Sequence, residues 1–200
     1  MDSSITIDRA TQTHAPSAWV NRYAPLIAAD GKVLDLACGS GRHSRLLASM
    51  GYSVEAVDSD AGALAGLRGQ ARITTRCADL EGGPWPYGGR VFAGIVVANY
   101  LWRPLFPLLM AALDQGGVLI YETFMVGNER YGQPSNPAYL LRVGELLDVV
   151  RNRLTVMAFE QGEVLRAAGS SGDEEAAQPT SAVVQRLCAV RGGAPLHLPA

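Results

Sequence analysis

The sequence predicts an α/β domain built on a doubly wound sheet of seven strands, mostly parallel, with an antiparallel last strand. Three observations carry this expectation. Short apolar segments rich in β-branched residues alternate with segments of helical spacing as far as Phe124, a pattern that calls for parallel strands joined by right-handed crossovers. The segment Val91 to Ala98 is nearly all apolar, as a central strand buried on both faces should be. The last two strand-like segments are joined by a small, acidic stretch with no helical pattern, which suggests an antiparallel hairpin at one sheet edge.

Taken in order, residues 1–14 read as a loose tail. Ser17 to Ala29 follows a proline and carries Trp19, Val20, Tyr23, Leu26 and Ile27 at positions that suit one face of a helix. Asp30-Gly31 is a turn, and Val33 to Ala37 a buried strand that Gly39-Ser40-Gly41 breaks. Helical spacing resumes from Arg42 to Met50. Ser53 to Val57 is the second strand, Ala61 to Gly69 a helix, and Arg72 to Cys77 the third strand. Glu81 to Arg90 is a loop rich in Gly and Pro, followed by the fourth strand. Leu105 to Leu113 is helical, Gly116-Gly117 a turn, and Val118 to Phe124 the fifth strand. Met125 to Tyr139 is a long loop and Arg142 to Val150 a helix. Leu154 to Phe159 and Ala182 to Val190 are the last two strands, around an exposed stretch from Ala167 to Thr180. One domain, 15–192, lies between the N-terminal tail and a short tail at 193–200.

Composition narrows the function classes. The chain has 200 residues, 48% hydrophobic and 18% charged, with a formal net charge of -2. That is a globular balance, and its surface offers no general attraction to nucleic acid or an anionic membrane. The three cysteines, Cys38, Cys77 and Cys188, are far apart, so neither a disulfide framework nor a zinc site is expected. The N-terminus lacks a secretory pattern and no apolar run reaches membrane-spanning length. The cytoplasm is the expected location.

The chemistry is concentrated at strand ends. In Val33-Leu-Asp-Leu-Ala-Cys-Gly-Ser-Gly-Arg-His-Ser44 a strand runs into a glycine turn and then a helix. Gly39 and Gly41 let the backbone approach a ligand without a Cβ in the way, and doubly wound sheets bind ligands at such strand ends. A dinucleotide is disfavoured, because Ser44 stands where a third glycine would be and Asp35 would repel a pyrophosphate. Asp35 suits a ligand carrying an ammonium and a sulfonium, or else caps the turn. Asp58, ending the second strand about 20 residues after the glycines, can accept hydrogen bonds from both hydroxyls of a ribose. The neighbouring Ser59 or Asp60 would cap the next helix. Asp79-Leu80, ending the third strand, can meet an adenine amine and pack on its ring, or Asp79 can make a local turn.

With these three acids at consecutive strand ends, the chain resembles the class I S-adenosylmethionine-dependent methyltransferases over nearly its whole length. Their Rossmann-like fold has seven strands, the last inserted antiparallel beside the fifth. The stretches Asn99-Tyr-Leu-Trp-Arg-Pro104, Tyr121-Glu-Thr-Phe124 and Gly132-Gln-Pro-Ser-Asn-Pro137 are similar to a bacterial subgroup that resembles tellurite-resistance-type methyltransferases in outline. The resemblance implies S-adenosylmethionine as cofactor, S-adenosylhomocysteine as product, and cofactor contacts at Asp35, Ala37, Cys38, Gly39, Gly41, His43, Asp58, Ser59, Asp79, Leu80 and Asn99. His43 is read either as a contact to the cofactor carboxylate or as a surface histidine at a helix start. Trp19 and Tyr23 are read as a lid over the cofactor or as a core-facing stripe.

The acceptor is then expected over the ends of the fourth and fifth strands, near Asn99, Tyr100, Trp102, Arg103, Tyr121 and Glu122. Glu122, with Tyr121 and Tyr100, is the candidate catalytic group, since an acid ending a buried strand is costly unless paired or functional. The competing reading of Glu122 is a salt bridge to Arg130 or Arg142. Asn99 is not followed by the Pro-Pro-aromatic run of base-modifying relatives, and the fourth strand lacks the acids of magnesium-dependent ones. No nucleic acid and no metal are therefore expected. A small organic or metalloid acceptor is expected, methylated on oxygen, nitrogen, sulfur or the metalloid; Tyr100, Leu101, Trp102 and Phe124 favour a partly hydrophobic one, and the chain is expected to be a monomer or homodimer. Two rivals stay open: a cofactor-binding module without transferase activity, and a nicotinamide oxidoreductase.

Overall fold

The computed structural model describes residues 15–166 and 180–192. The expected tails at 1–14 and 193–200, and nearly all of the stretch from Ala167 to Thr180, lie outside the described residues. Seven strands form one sheet: β1 (Lys32–Leu36), β2 (Ser53–Asp58), β3 (Ile73–Cys77), β4 (Phe92–Ala98), β5 (Leu113–Phe124), β6 (Thr155–Arg166) and β7 (Thr180–Val190). Their order is β3-β2-β1-β4-β5-β7-β6. The first five pair in parallel, and β7 runs antiparallel between β5 and β6. The strand order reverses between β1 and β4, which is where such a sheet opens a crevice at its carboxyl edge.

Among the described residues five α-helices cover the sheet: α1 (Ala18–Tyr23), α2 (Arg42–Ser49), α3 (Ala61–Ala65), α4 (Phe106–Ala112) and α5 (Glu145–Val150). Alternation along the central strands splits the core in two. Leu34, Leu36, Ile95, Val97, Leu119 and Tyr121 face α4 and α5 with Leu109 and Leu146. Val33, Val96, Val118 and Ile120 face α1 and α2 with Trp19, Val20 and Leu47. Trp19 and Tyr23 are both buried in that second layer, and the Trp19 indole donates to the Leu187 carbonyl at 3.3 Å. Both therefore form the core stripe and neither is an open lid.

Several boundaries move for local reasons. The first helix ends at Tyr23 and continues as a 3-10 turn, Ala24–Leu26, where Pro25 supplies no amide donor. α3 stops at Ala65, and Gly66 caps it. β5 begins early, with Leu113 paired to Phe92 across an irregular register before regular pairing resumes at Gly94 and Val118. α5 starts only at Glu145 because Gly144 sits at φ 70°, outside helical space, and the Arg142 amide donates instead to the Glu145 carboxylate. β6 and β7 are longer than the apolar patterning indicated and pair from Thr155 with Val190 to Arg166 with Thr180, with a register shift between Val156 and Ala158. No described helix is long and apolar enough to cross a membrane.

Candidate active site

The glycine turn after β1 is wound through left-handed backbone: Ala37 has φ 52°, Gly39 φ 54° and Gly41 φ 82°. At Gly41 a Cβ would overlap the buried Leu67 side chain, so the position admits no side chain. At Gly39 the space in front of the backbone is open. Ala37 takes a conformation that costs an L-residue about 1–2 kcal/mol. The turn is held from both sides. The Cys38 amide donates to the Val57 carbonyl at 3.0 Å, and the Gly39 amide donates to Asp58 Oδ2 at 2.7 Å. The other oxygen of Asp58 accepts from the Asp60 amide at 3.0 Å. Asp60 in turn caps α3 through the Gly62 and Ala63 amides, so the cap and the strand-end acid are separate residues.

Asp35 and His43 lie inside the walls. Asp35 is 1% exposed and accepts from the Ser44 hydroxyl at 2.5 Å. Burial pushes its carboxyl up to about 7, against the opposing pull of the Ser44 hydrogen bonds and Arg42. Ser44, conspicuous in the sequence for not being glycine, is thus the partner of this acid. His43 is buried and its Nε2 accepts from the Ser17 amide at 3.1 Å. Burial, then the Arg42 charge, hold the imidazole down to about 3, so it is neutral. The surface reading of His43 is corrected: it latches the start of α1. Cys38 is buried as well, and burial raises its thiol.

Two cavities open at the carboxyl edge. The first, about 350 Å³, is lined by Ala37, Asp58, Ser59, Ala78, Asp79, Leu80, Glu81 and Tyr100. It brings together five of the expected binding residues from three strand ends. Asp79 uses one carboxylate oxygen to accept the Glu81 amide at 2.9 Å and the Gly82 amide at 3.0 Å, and these bonds hold its carboxyl below the usual range. The local turn at Asp79 is therefore real, and Leu80 is buried beside it.

The second cavity, about 370 Å³, is lined by Glu81, Asn99, Tyr100, Leu101, Thr123, Phe124, Gln133, Pro134 and Tyr139. Asn99 sits at φ 56°, which asparagine tolerates, and its amide donates to the Glu122 carbonyl at 2.8 Å. Tyr100 and Glu81 line both cavities. Glu81, Thr123, Gln133, Pro134 and Tyr139 were not singled out from the sequence. Thr123 and the Gln133-Pro134 pair lay in stretches that carried a signal only through the subgroup resemblance.

The other expected catalytic groups face the protein. Tyr121 is 2% exposed and donates to the Tyr100 carbonyl at 2.9 Å; burial drives its phenol far above the usual value. Glu122 is 6% exposed and paired with Arg186 at 2.6 Å. That ion pair crosses directly between β5 and β7, where the two residues are register partners. Arg130 and Arg142, the expected partners, are engaged elsewhere: Arg130 donates to the Gly127 carbonyl and Arg142 pairs with Glu145. Arg103 also pairs with Glu145, at 2.7 Å, and donates to the Ala138 and Leu140 carbonyls, so it clamps the turn that carries Tyr139. Trp102 packs against the core. Among the described residues no group of three or more His, Cys, Asp or Glu is arranged to hold a metal ion.

Comparison with known proteins agrees with this architecture. Residues 33–117 match a family described as a methyltransferase domain. No functionally curated protein is significantly similar in sequence. Among solved structures, TehB from Haemophilus influenzae has 19% identity and a TM-score of 0.73, with 91% of this chain and 64% of that chain covered. The N-methyltransferase NodS from Bradyrhizobium japonicum WM9, in complex with S-adenosyl-L-homocysteine, has 16% identity and a TM-score of 0.61, with 92% and 86% covered. An S-adenosylmethionine-dependent methyltransferase from Mesorhizobium loti has 19% identity and a TM-score of 0.60, with 86% and 98% covered. The chain spans less than two thirds of the length of the TehB structure it matches.

Proposed function

We propose that this chain, which has the fold of class I S-adenosylmethionine-dependent methyltransferases, binds S-adenosylmethionine in the first cavity and methylates a small molecule held in the second. The observation that carries the reading is the pair of adjoining cavities that share Tyr100 and Glu81 as a common wall. A module that only bound the cofactor would have no use for the second, acceptor-sized space.

The residues present suit the cofactor. Asp58, Asp79 and Glu81 line the first cavity, and no Lys, Arg or His does so among the described residues. Such a lining attracts a sulfonium and opposes a pyrophosphate. Asp58 is placed to accept from ribose hydroxyls, Leu80 to pack on an adenine, and the open space before Gly39 to admit the methionine portion. When bound, the cofactor supplies an electrophilic methyl on a sulfonium. The chain's own part is alignment and exclusion of water. Tyr121 fixes the backbone of Tyr100, and Asn99 turns the chain between the two cavities. Asp35 and His43 act at one remove, by bracing the glycine turn and the α1 start. Glu122 holds β5 to β7 through Arg186 and is assigned no proton transfer.

Titration with S-adenosylhomocysteine and with NADH separates this reading from the dinucleotide one. Micromolar binding of the first, about -8 kcal/mol, with none of the second supports it. The reverse pattern would revive the oxidoreductase.

A further inference from the structure

We infer that the second cavity takes a nitrogen nucleophile, a small amine on an apolar or aromatic body, and that Glu81 together with Tyr100 selects it; this rests on the cofactor reading above. Most of the lining is apolar or aromatic: Tyr100, Leu101, Phe124, Pro134 and Tyr139. The neutral polar groups are Asn99, Thr123 and Gln133, and among the described residues Glu81 is the one charged residue of the lining. No described Lys, Arg or His lines the space, and Arg103, on the neighbouring turn, is occupied by Glu145 and two carbonyls. A carboxylate or oxyanion acceptor would enter against Glu81 with no cation to receive it.

The Glu81 and Tyr100 wall is built for N–H donors. The Glu81 backbone is fixed by its amide bond to Asp79 Oδ1 at 2.9 Å. The Tyr100 hydroxyl is shut off from solvent and interacts with the Glu81 carboxylate. Burial first, then the Glu81 charge, keep that phenol protonated, so Glu81 stays the single anion of this wall. A carboxylate accepts only. An amine presents N–H donors to Glu81 and leaves its carbon body to the apolar wall. In the transfer the bound ammonium first gives one proton to water past Glu81, the freed nitrogen lone pair forms the new N–C bond, and the S–C bond breaks with its pair staying on sulfur. The surplus proton on the methylated nitrogen passes to the Glu81 carboxylate and on to water.

The test uses protein saturated with S-adenosylhomocysteine and three probes of matched shape: phenethylamine, 2-phenylethanol and phenylacetate. Dissociation constants are read by ligand-observed NMR for the wild type and Glu81→Gln, an exposed position where the change leaves the core untouched. The amine should bind about tenfold more tightly than phenylacetate, as a charge-assisted hydrogen bond implies, and that ratio should collapse toward one in Glu81→Gln. Equal or tighter binding of phenylacetate, no binding of the amine at millimolar concentration, or an unchanged ratio in the variant would overturn the inference. Failure to load S-adenosylhomocysteine at all would overturn the cofactor reading, and this inference with it.

Discussion

Replacing Asp35 by asparagine should change how stability depends on pH. Asp35 is 1% exposed and accepts from Ser44 at 2.5 Å, a bond the asparagine carbonyl oxygen can also accept. Burial raises the carboxyl from 3.8 to about 7 in the folded protein. Between those values the native state holds a proton that the unfolded chain has lost, so stability falls as pH rises. The slope is about 1.4 kcal/mol per pH unit, or about 4 kcal/mol across the window. His43 works in the opposite sense, because burial and Arg42 lower it from 6.5 to about 3. Between those values the unfolded chain holds the extra proton, so stability rises with pH. Where the windows overlap the two slopes nearly cancel and the wild type should be flat. Asp35→Asn leaves His43 unopposed. Its stability should climb by about 2 kcal/mol between pH 4.5 and 6.5, and its advantage over wild type should grow to about 4 kcal/mol above pH 7. Urea denaturation at half-unit pH steps measures both curves, and contributions from other groups cancel in their difference. Parallel pH profiles for the two proteins would refute the reasoning.

Two further substitutions test the frame around the site. Ala37→Gly relieves a left-handed alanine at φ 52° and, after glycine's greater unfolded entropy, should raise stability by roughly 0.5–1 kcal/mol; a lower urea midpoint would show that the Ala37 methyl is needed where it is. Glu122→Gln removes one half of a nearly buried pair and leaves Arg186, 24% exposed, beside a neutral amide and the more distant Glu160. It should cost about 1–3 kcal/mol, less than a fully buried pair would, and leave S-adenosylhomocysteine affinity unchanged. Unchanged stability with lost affinity would return Glu122 to the functional site.

The parts legible in the sequence were those fixed by local pattern. The apolar run of β4, the strand–glycine–helix turn and the acids closing β2 and β3 each depend on neighbours within a few residues. The antiparallel end of the sheet was legible because the sequence between the last two strand-like segments carries no helical pattern. Contacts set by distant pairing were not. Arg186 lies opposite Glu122 only because the β5 and β7 registers align them, 64 residues apart, so nearer arginines looked equally plausible. The burial of His43 depends on where α1 starts, and that start is held by Ser17 reaching across 26 residues. The second cavity is made largely by loops, where Glu81, Gln133 and Tyr139 carry no periodic signal. Helix ends shifted at Gly66 and Gly144, where capping and a left-handed turn overrode apolar spacing.

The central claim is that the first cavity is a cofactor site organised by Asp58, whose carboxylate already accepts from the Gly39 and Asp60 amides. Calorimetry of S-adenosylhomocysteine binding to the wild type and to Asp58→Ala tests it most directly. The account predicts micromolar binding to the wild type and a loss of at least about 2 kcal/mol, some thirtyfold, in the variant, as the removal of charge-assisted hydrogen bonds implies. Equal affinity for both folded proteins, or no binding to either, would contradict it.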